Sequence, residues 1–178
     1  QGGVVVQLVN ERLDQLLIAR LLTPTDLGLY VAAMAIAVIP SIPALTLANV
    51  AYPRIAGVAD AADRGPVVER YVRLSVVLAG LIALLLLVAG EPLVGALYGP
   101  EFGGAVPILA WYAAGAVALA ARAVLAQAVK ASGRPGLSTM AELAGLAVNV
   151  ALLLLLLPRV GVVGAALAYA GMQAPALL

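Results

Sequence analysis

The sequence contains no cysteine and no histidine. Without cysteine it can form no disulfide and has no thiolate nucleophile, and without histidine it lacks the commonest general base and metal ligand. It also lacks an Asp-x-Asp pair, whereas integral-membrane glycosyltransferases and phosphatases need an acidic metal site or a constellation of His and Arg. We therefore predict that the protein is not an enzyme, and we expect no catalytic residue, no metal ion and no cofactor.

Charged residues are scarce, at 11% of the 178 residues, and the net charge is only +1. Soluble domains average about 25% charged and about 45–50% apolar residues, whereas this chain is 64% hydrophobic with a mean hydropathy of +1.10. A soluble globule cannot hide that much apolar surface. The composition predicts a polytopic α-helical membrane protein, and the low net charge offers no electrostatic reason to bind nucleic acid.

Apolar segments of roughly 20 residues, the length needed to cross a bilayer, recur along the chain. We predict an all-α membrane helix bundle of six transmembrane helices in a single domain spanning 1–178. The predicted helices cover about 3–22, 28–50, 72–89, 105–128, 138–157 and 160–178. Because the chain starts with Gln1 and ends inside an apolar run, we expect it to be a fragment of a longer protein.

The connections carry the next predictions. We interpret 51–71 as a solvated loop, with a short surface helix from Val67 to Leu74 as the alternative, and Gly90–Gly104 as a turn whose centre dips into the interface. Lys and Arg concentrate in the 51–73 and 130–134 connections. The positive-inside rule therefore places those connections in the cytosol. Trp111 and Tyr112, near the start of the fourth segment, are typical of an interfacial aromatic belt.

The first segment carries charge near its middle, at Glu11, Arg12 and Asp14. A charge at the centre of a spanning helix costs roughly 2.5–3.5 kcal/mol on the insertion scale, so this helix is poorly suited to face lipid alone. By helix angle its polar residues form one stripe, Gln7, Glu11 and Asp14, flanked by Asn10 and Gln15, with Arg12 off the stripe. We predict that the stripe lines a water-filled substrate pathway.

Two prolines, Pro40 and Pro43, interrupt the second segment near its midpoint. Each removes a backbone donor and clashes with the carbonyl four residues back, so we predict a kink or hinge that exposes carbonyls around Ile36 and Ile39. The prolines have two open interpretations. One is helix packing, and the other is a direct role beside a transport site.

Arg122 and Glu142 flank the short turn between the fourth and fifth segments at comparable depth. We predict that they pair across two antiparallel helices. A structural ion pair and a substrate contact in the cavity are both open interpretations, because charged groups inside membrane spans are rare and usually functional.

Several short motifs follow one another in an order that resembles a known family. They are DQLLI at 14–18, TDLGLYVAA at 25–33, LYGPEF at 97–102, ASGRP at 131–135, and Asn149 followed by VGVVGAA at 160–166. Together they resemble the second half of bacterial polysaccharide flippases of the multidrug/oligosaccharidyl-lipid/polysaccharide exporter superfamily. Each motif is weak alone, but the ordered set covers essentially the whole chain.

The resemblance implies a fold of two six-helix lobes around a central cavity, with this chain as most of the C-terminal lobe. It implies alternating-access transport of a lipid-linked oligosaccharide or polysaccharide precursor across the bacterial cytoplasmic membrane. The partners would be that substrate, membrane lipids and the N-terminal lobe. Arg12 would contact phosphate, and Glu11 and Asp14 would contact sugar hydroxyls or a coupling cation.

Two alternatives are open beside this interpretation. One is a cation-coupled multidrug exporter of the same superfamily, in which Glu11 and Asp14 would serve as coupling sites. The other is a structural membrane module that transports nothing. The charges inside the first span argue against the latter, because such charges are usually functional.

Overall fold

The computed structural model describes residues 14–60 and 62–173, and the described residues are helical with short connections and no strand. In these described ranges seven helices follow one another, with a single 3₁₀ turn at Pro100–Phe102 between the fourth and fifth. They are α1 (14–21), α2 (Pro24–Ala37), α3 (Ser41–Ala56), α4 (Arg64–Tyr98), α5 (Ala105–Ala131), α6 (Pro135–Val160) and α7 (Val163–Gly171).

Three of these helices, α4, α5 and α6, are long and apolar enough to cross a membrane. Helices α2 and α3 pass the same test as a pair, bent by 48° at a short break, and count as a fourth span. The described parts of α1 and α7 are shorter than a bilayer requires. The predicted all-α, multi-pass architecture is therefore confirmed. The predicted count of six spans is not confirmed, because the described residues contain three spans, or four with the bent pair.

Helix α5 is the centre of the bundle and packs against α2, α3, α4 and α7. Its buried face is built largely from small residues, including Ala113, Gly115, Ala116 and Ala120. Small side chains let helix backbones approach closely, which is how membrane helices gain van der Waals contact where lipid removes the hydrophobic driving force.

Helix α4 is much longer than predicted, at 35 residues, and it absorbs parts of both connections that we interpreted as loops. At its start, Val67, Val68, Tyr71 and Val72 pack against a buried cluster that includes Ile55. Packing of these apolar side chains stabilises a helix in the segment before residue 72, where the charged residues had favoured a loop. At its other end α4 runs through Pro92 to Tyr98, so the expected turn shortens to 99–104.

The middle of α4 turns its large side chains outward, which is typical of a lipid-facing helix. Leu85 is 67% exposed and Val88 is 76% exposed, whereas the small residues Ala79 and Ala83 face the bundle. A helix with that distribution is stable only where its outer surface meets hydrocarbon.

The predicted bend lies at residues 38–40, between α2 and α3. Contrary to the prediction, the carbonyls of Ile36 and Ile39 are not left open. Each accepts a bond from the amide three residues on, Ile39 N at 3.1 Å and Ile42 N at 3.3 Å, and the hydroxyl of Ser41 donates to the carbonyl of Val38 at 2.6 Å. The span therefore bends at the prolines while the carbonyls of Ile36 and Ile39 keep hydrogen-bond partners.

Helices α6 and α7 approach each other closely at Gly164. A Cβ at Gly164 would lie 2.8 Å from the backbone carbonyl of Leu156, so only glycine permits this approach. Gly161, in contrast, has open space around it and a φ of +65°, so it serves to end α6 in a left-handed conformation.

Candidate functional site: a buried polar cluster and an open groove

Four polar side chains meet inside the apolar bundle: Asp14 of α1, Tyr30 of α2, Tyr112 of α5 and Asn149 of α6. We call them the buried polar cluster. The amide nitrogen of Asn149 donates to Asp14 Oδ1 at 3.0 Å, and the hydroxyl of Tyr30 donates to Asp14 Oδ2 at 3.3 Å. The hydroxyls of Tyr30 and Tyr112 lie 2.8 Å apart. All four residues are at most 2% exposed, so protein encloses the cluster.

Local sequence signals place Tyr30 in this cluster. Thr23 is the N-cap of α2, and its hydroxyl accepts from Asp26 N at 3.2 Å while Asp26 Oδ2 accepts from Thr23 N at 3.1 Å. This reciprocal capping box, with Pro24 at the first helical position, fixes where α2 begins. Tyr30, less than two turns later, then points inward toward α1 and α5.

A third tyrosine supports the cluster from α7. The ring of Tyr169 lies 4.7 Å from that of Tyr112, with an interplanar angle of 36°. Gly115 of α5 makes room for it, because a Cβ there would lie 2.7 Å from Tyr169 Cδ1. Side chains from five helices thus form or support the cluster. Its geometry depends on Gly115, which the periodicity of the sequence does not single out.

This geometry changes the interpretation of Asp14. We predicted that it faces a water-filled pathway, but its carboxyl group is enclosed and accepts hydrogen bonds from Asn149 and Tyr30. Buried polar groups are stable only when protein groups replace the hydrogen bonds of water. Gln15 is half-buried. The other predicted cavity residues, Gln7, Asn10, Glu11 and Arg12, lie outside the described residues.

The sequence missed both tyrosines of the cluster. Tyr112 was assigned to the interfacial belt together with Trp111, yet Trp111 is 47% exposed and Tyr112 only 2%. The sequence contained one signal for these residues, namely a tyrosine within an apolar span. Its hydroxyl cannot hydrogen-bond to water there and needs a buried partner in the protein.

Arg122 and Glu142 do not form the predicted ion pair. Arg122 Nη1 donates to Gln173 Oε1 at 2.8 Å, while Glu142 Oε1 lies 3.9 Å from Lys130 Nζ. Gln173 is buried just beyond α7, and its side-chain oxygen takes the position beside the Arg122 guanidinium that the prediction gave to Glu142. Within 14–60 and 62–173, no three acidic side chains converge to hold a metal ion.

The second polar region is open. A groove of about 450 Å³ is lined by Asn49, Tyr52, Gln127, Lys130 and Pro135, and we call it the basic-end groove. It lies between the last turns of α3 and α5 and the start of α6, next to the connection 132–134. Gln127 Nε2 donates to Asn49 Oδ1 at 3.2 Å across it.

The fold of the described residues defines the class of the protein: an all-helical, polytopic membrane protein. The chain matches a multidrug resistance MATE transporter of the MOP superfamily in its outward-facing conformation, with a TM-score of 0.75 and 22% identity over 99% of this chain. It matches a MOP superfamily transporter from Pyrococcus furiosus equally well, with a TM-score of 0.75 and 22% identity over 99% of the chain. A MATE transporter in the straight conformation gives a TM-score of 0.76 at 22% identity over 99% of the chain.

The chain spans about 41%, 40% and 40% of the lengths of these three solved transporters. No curated protein matches the sequence. A family model described as "Polysaccharide biosynthesis protein" matches residues 2–107, which is more than half of the 178 residues. The chain belongs to this family of polysaccharide biosynthesis proteins.

Proposed function

We propose that this chain forms one lobe of a transporter that moves lipid-linked oligosaccharide or polysaccharide precursors across the bacterial cytoplasmic membrane by alternating access. The observation that carries the proposal is the family match over residues 2–107, because a family of polysaccharide biosynthesis proteins supports a polysaccharide precursor as the substrate. The similarity of fold to MOP superfamily transporters supports the mode of action.

Physical chemistry explains why such a substrate needs a protein pathway. A sugar headgroup that enters hydrocarbon loses its hydrogen bonds to water, at a cost of roughly 2–7 kcal/mol for each unpaired polar group. A cavity that offers amides, carboxyl groups and cations replaces those bonds. No covalent step is involved, and the partners are the lipid-linked substrate, membrane lipids and a second lobe.

The buried polar cluster supports a lobe that moves as one body. Its hydrogen bonds join α1, α2, α5 and α6 at a level where neighbouring contacts are apolar. Changes between inward-open and outward-open states would then take place between lobes rather than within this one. In this proposal Asp14 positions α1, and Arg12 and Glu11 are the contacts for phosphate and for sugar hydroxyls or a coupling cation.

The test uses the full-length protein in proteoliposomes with a fluorescent lipid-linked oligosaccharide. We expect the flipping rate to fall at least tenfold in Arg12→Gln, since a charge-assisted hydrogen bond to phosphate is lost. Arg20→Gln, at the exposed end of α1, is the matched control and should flip at the wild-type rate. Equal rates for wild type and Arg12→Gln would remove Arg12 from the pathway, and no flipping by wild type would overturn the proposed function.

A second candidate is export of drugs, which the similarity of fold to a multidrug resistance transporter favours. The same proteoliposomes distinguish the two candidates. Uptake of a cationic dye that is abolished by Glu11→Gln, with no movement of the lipid-linked sugar, would establish the drug exporter.

A further inference from the structure

The basic-end groove differs from the buried polar cluster because it is open and because its hydrogen-bonding capacity is only partly used. Of the described residues that line it, none is acidic, and one, Lys130, is a cation. A metal ion would require carboxyl or carbonyl ligands. A groove with an ammonium group and amide N–H donors instead suits the oxygen atoms of an anion.

The donors of the groove are available. The hydrogen bond from Gln127 to Asn49 uses one N–H of Gln127 and the carbonyl oxygen of Asn49. The second N–H of Gln127 and both N–H groups of Asn49 can therefore point to a ligand. Tyr52, which is 43% exposed, adds a hydroxyl at the rim.

Lys130 is only weakly engaged. Its nearest carboxyl oxygen, on Glu142, is 3.9 Å away, which exceeds the 2.7–3.2 Å range of an N–H···O hydrogen bond. The side chain of Lys130 is 36% exposed and that of Glu142 is 17% exposed. The ammonium group is thus oriented by Glu142 without being neutralised through direct contact, and it can donate to an anion in the groove.

The position of the groove along its helices suits a lipid phosphate. Lys130 and Gln127 lie one and four residues before the end of α5, or about 1.5 and 6 Å along the helix axis, and the headgroup layer is roughly 5–8 Å thick on each side of the hydrocarbon core. In a helix that ends at the membrane surface, both side chains therefore start within the headgroup layer. Asn49, about 10 Å from the end of α3, starts just below that layer, and its hydrogen bond with Gln127 brings its amide to the same position.

We propose that the basic-end groove binds a phosphate group carried by a lipid, with Lys130 as the charged contact and Asn49 and Gln127 as hydrogen-bond donors. The binding of phosphate follows from the groove itself. Which lipid supplies the phosphate rests on the proposed function, and the two sources are an anionic phospholipid of the bilayer and the diphosphate of an incoming lipid-linked sugar. The second source would make the groove the first docking position of the substrate at the basic end.

The experiment measures binding rather than transport, so its outcome is independent of the proposed function. Full-length protein in nanodiscs of neutral phosphatidylcholine is titrated with phosphatidylglycerol and, separately, with a short-chain polyprenyl diphosphate, and bound lipid is counted by native mass spectrometry. Lys130→Gln should weaken binding of at least one probe tenfold or more, because one charge-assisted hydrogen bond is lost. Lys130→Arg keeps the charge and should stay within about threefold of wild type.

The matched control is Arg73→Gln. Arg73 is an exposed cation on α4 that pairs with Glu69 at 2.6 Å and does not line the groove, so its loss should leave both affinities unchanged. An effect of Lys130→Gln on the diphosphate alone identifies the substrate as the source, and an effect on phosphatidylglycerol identifies the bilayer. Equal affinities of Lys130→Gln and wild type for both probes would overturn the proposal.

A second variant guards against misfolding. Gln127→Glu places a negative charge beside Lys130 and should weaken phosphate binding at least as much as Lys130→Gln does. Its folding is checked by size-exclusion profile and melting temperature. Wild-type affinity in a folded Gln127→Glu protein would equally overturn the proposal.

Discussion

The buried polar cluster and the basic-end groove use similar side chains, amides and phenols with one charged or ionisable group, yet they differ in how these are satisfied. In the cluster, Asp14 is sealed from solvent and accepts hydrogen bonds from Asn149 and Tyr30. In the groove, Lys130 is partly exposed and 3.9 Å from its nearest carboxyl oxygen. Polar residues in an apolar lobe are therefore not all binding sites. Those that are buried and bonded to other helices hold the helices together, and those with spare donors are available to a ligand.

The largest effect should come from breaking the cluster. Asp14→Ala removes the acceptor for both Asn149 and Tyr30 and leaves buried donors without it, which we expect to cost about 2–4 kcal/mol of stability. Thermal unfolding of the full-length protein in bicelles measures the loss. Gln15→Ala, one residue along the same helix and half-buried, should change stability by less than about 0.5 kcal/mol. A stable Asp14→Ala protein with impaired flipping would instead return Asp14 to the substrate pathway.

A smaller loss should follow from crowding the cluster indirectly. Gly115→Ala adds a Cβ that would lie 2.7 Å from the ring of Tyr169, so the ring must move away from Tyr112. Overpacking of this kind costs roughly 1–3 kcal/mol. Gly80→Ala on α4, where a new Cβ meets nothing within 4 Å, should be neutral or slightly stabilising, because alanine favours a helix. Equal melting temperatures of the two variants would show that Tyr169 does not hold the cluster.

Composition and periodicity were sufficient for much of the fold. The apolar segments at 105–128 and 138–157 correspond to α5 and α6, and the bend lies beside Pro40, because both features depend on local chemistry. The full length of α4 was predicted only in part. A helix from Val67 to Leu74 was the alternative to a solvated loop, and the structure agrees with that alternative. The charges Arg64, Arg70 and Arg73 favoured the loop, whereas packing of Val68 and Tyr71 against α3 and α5 stabilises the helix.

The site was predictable only in part, for a different reason. Asp14 was singled out because a charged residue inside an apolar segment can be recognised from the sequence alone. Its partners were not, since Tyr30 and Tyr112 are 82 residues apart in sequence and meet only through the packing of α2 on α5. The pairing of Arg122 with Gln173 rather than Glu142 has the same origin. Periodicity tells which face of a helix a residue occupies, but not which neighbour that face meets.

The comparison between the two regions can also be tested directly by solvent access. The 178 residues include no cysteine to react in the background, so a single cysteine introduced into a cysteine-free full-length protein reports on one position. Asn49→Cys in the basic-end groove should react with a water-soluble thiol reagent at least tenfold faster than Asn149→Cys in the buried polar cluster, because only the exposed thiol forms a reactive thiolate readily. Leu85→Cys on the lipid-facing side of α4 is the control that separates exposure to lipid from exposure to water, and it should react as slowly as Asn149→Cys. Fast labelling at Asn149 would mean that water reaches the cluster in some state of the transport cycle. The distinction between a closed structural cluster and an open binding groove would then hold for one conformation of the lobe only.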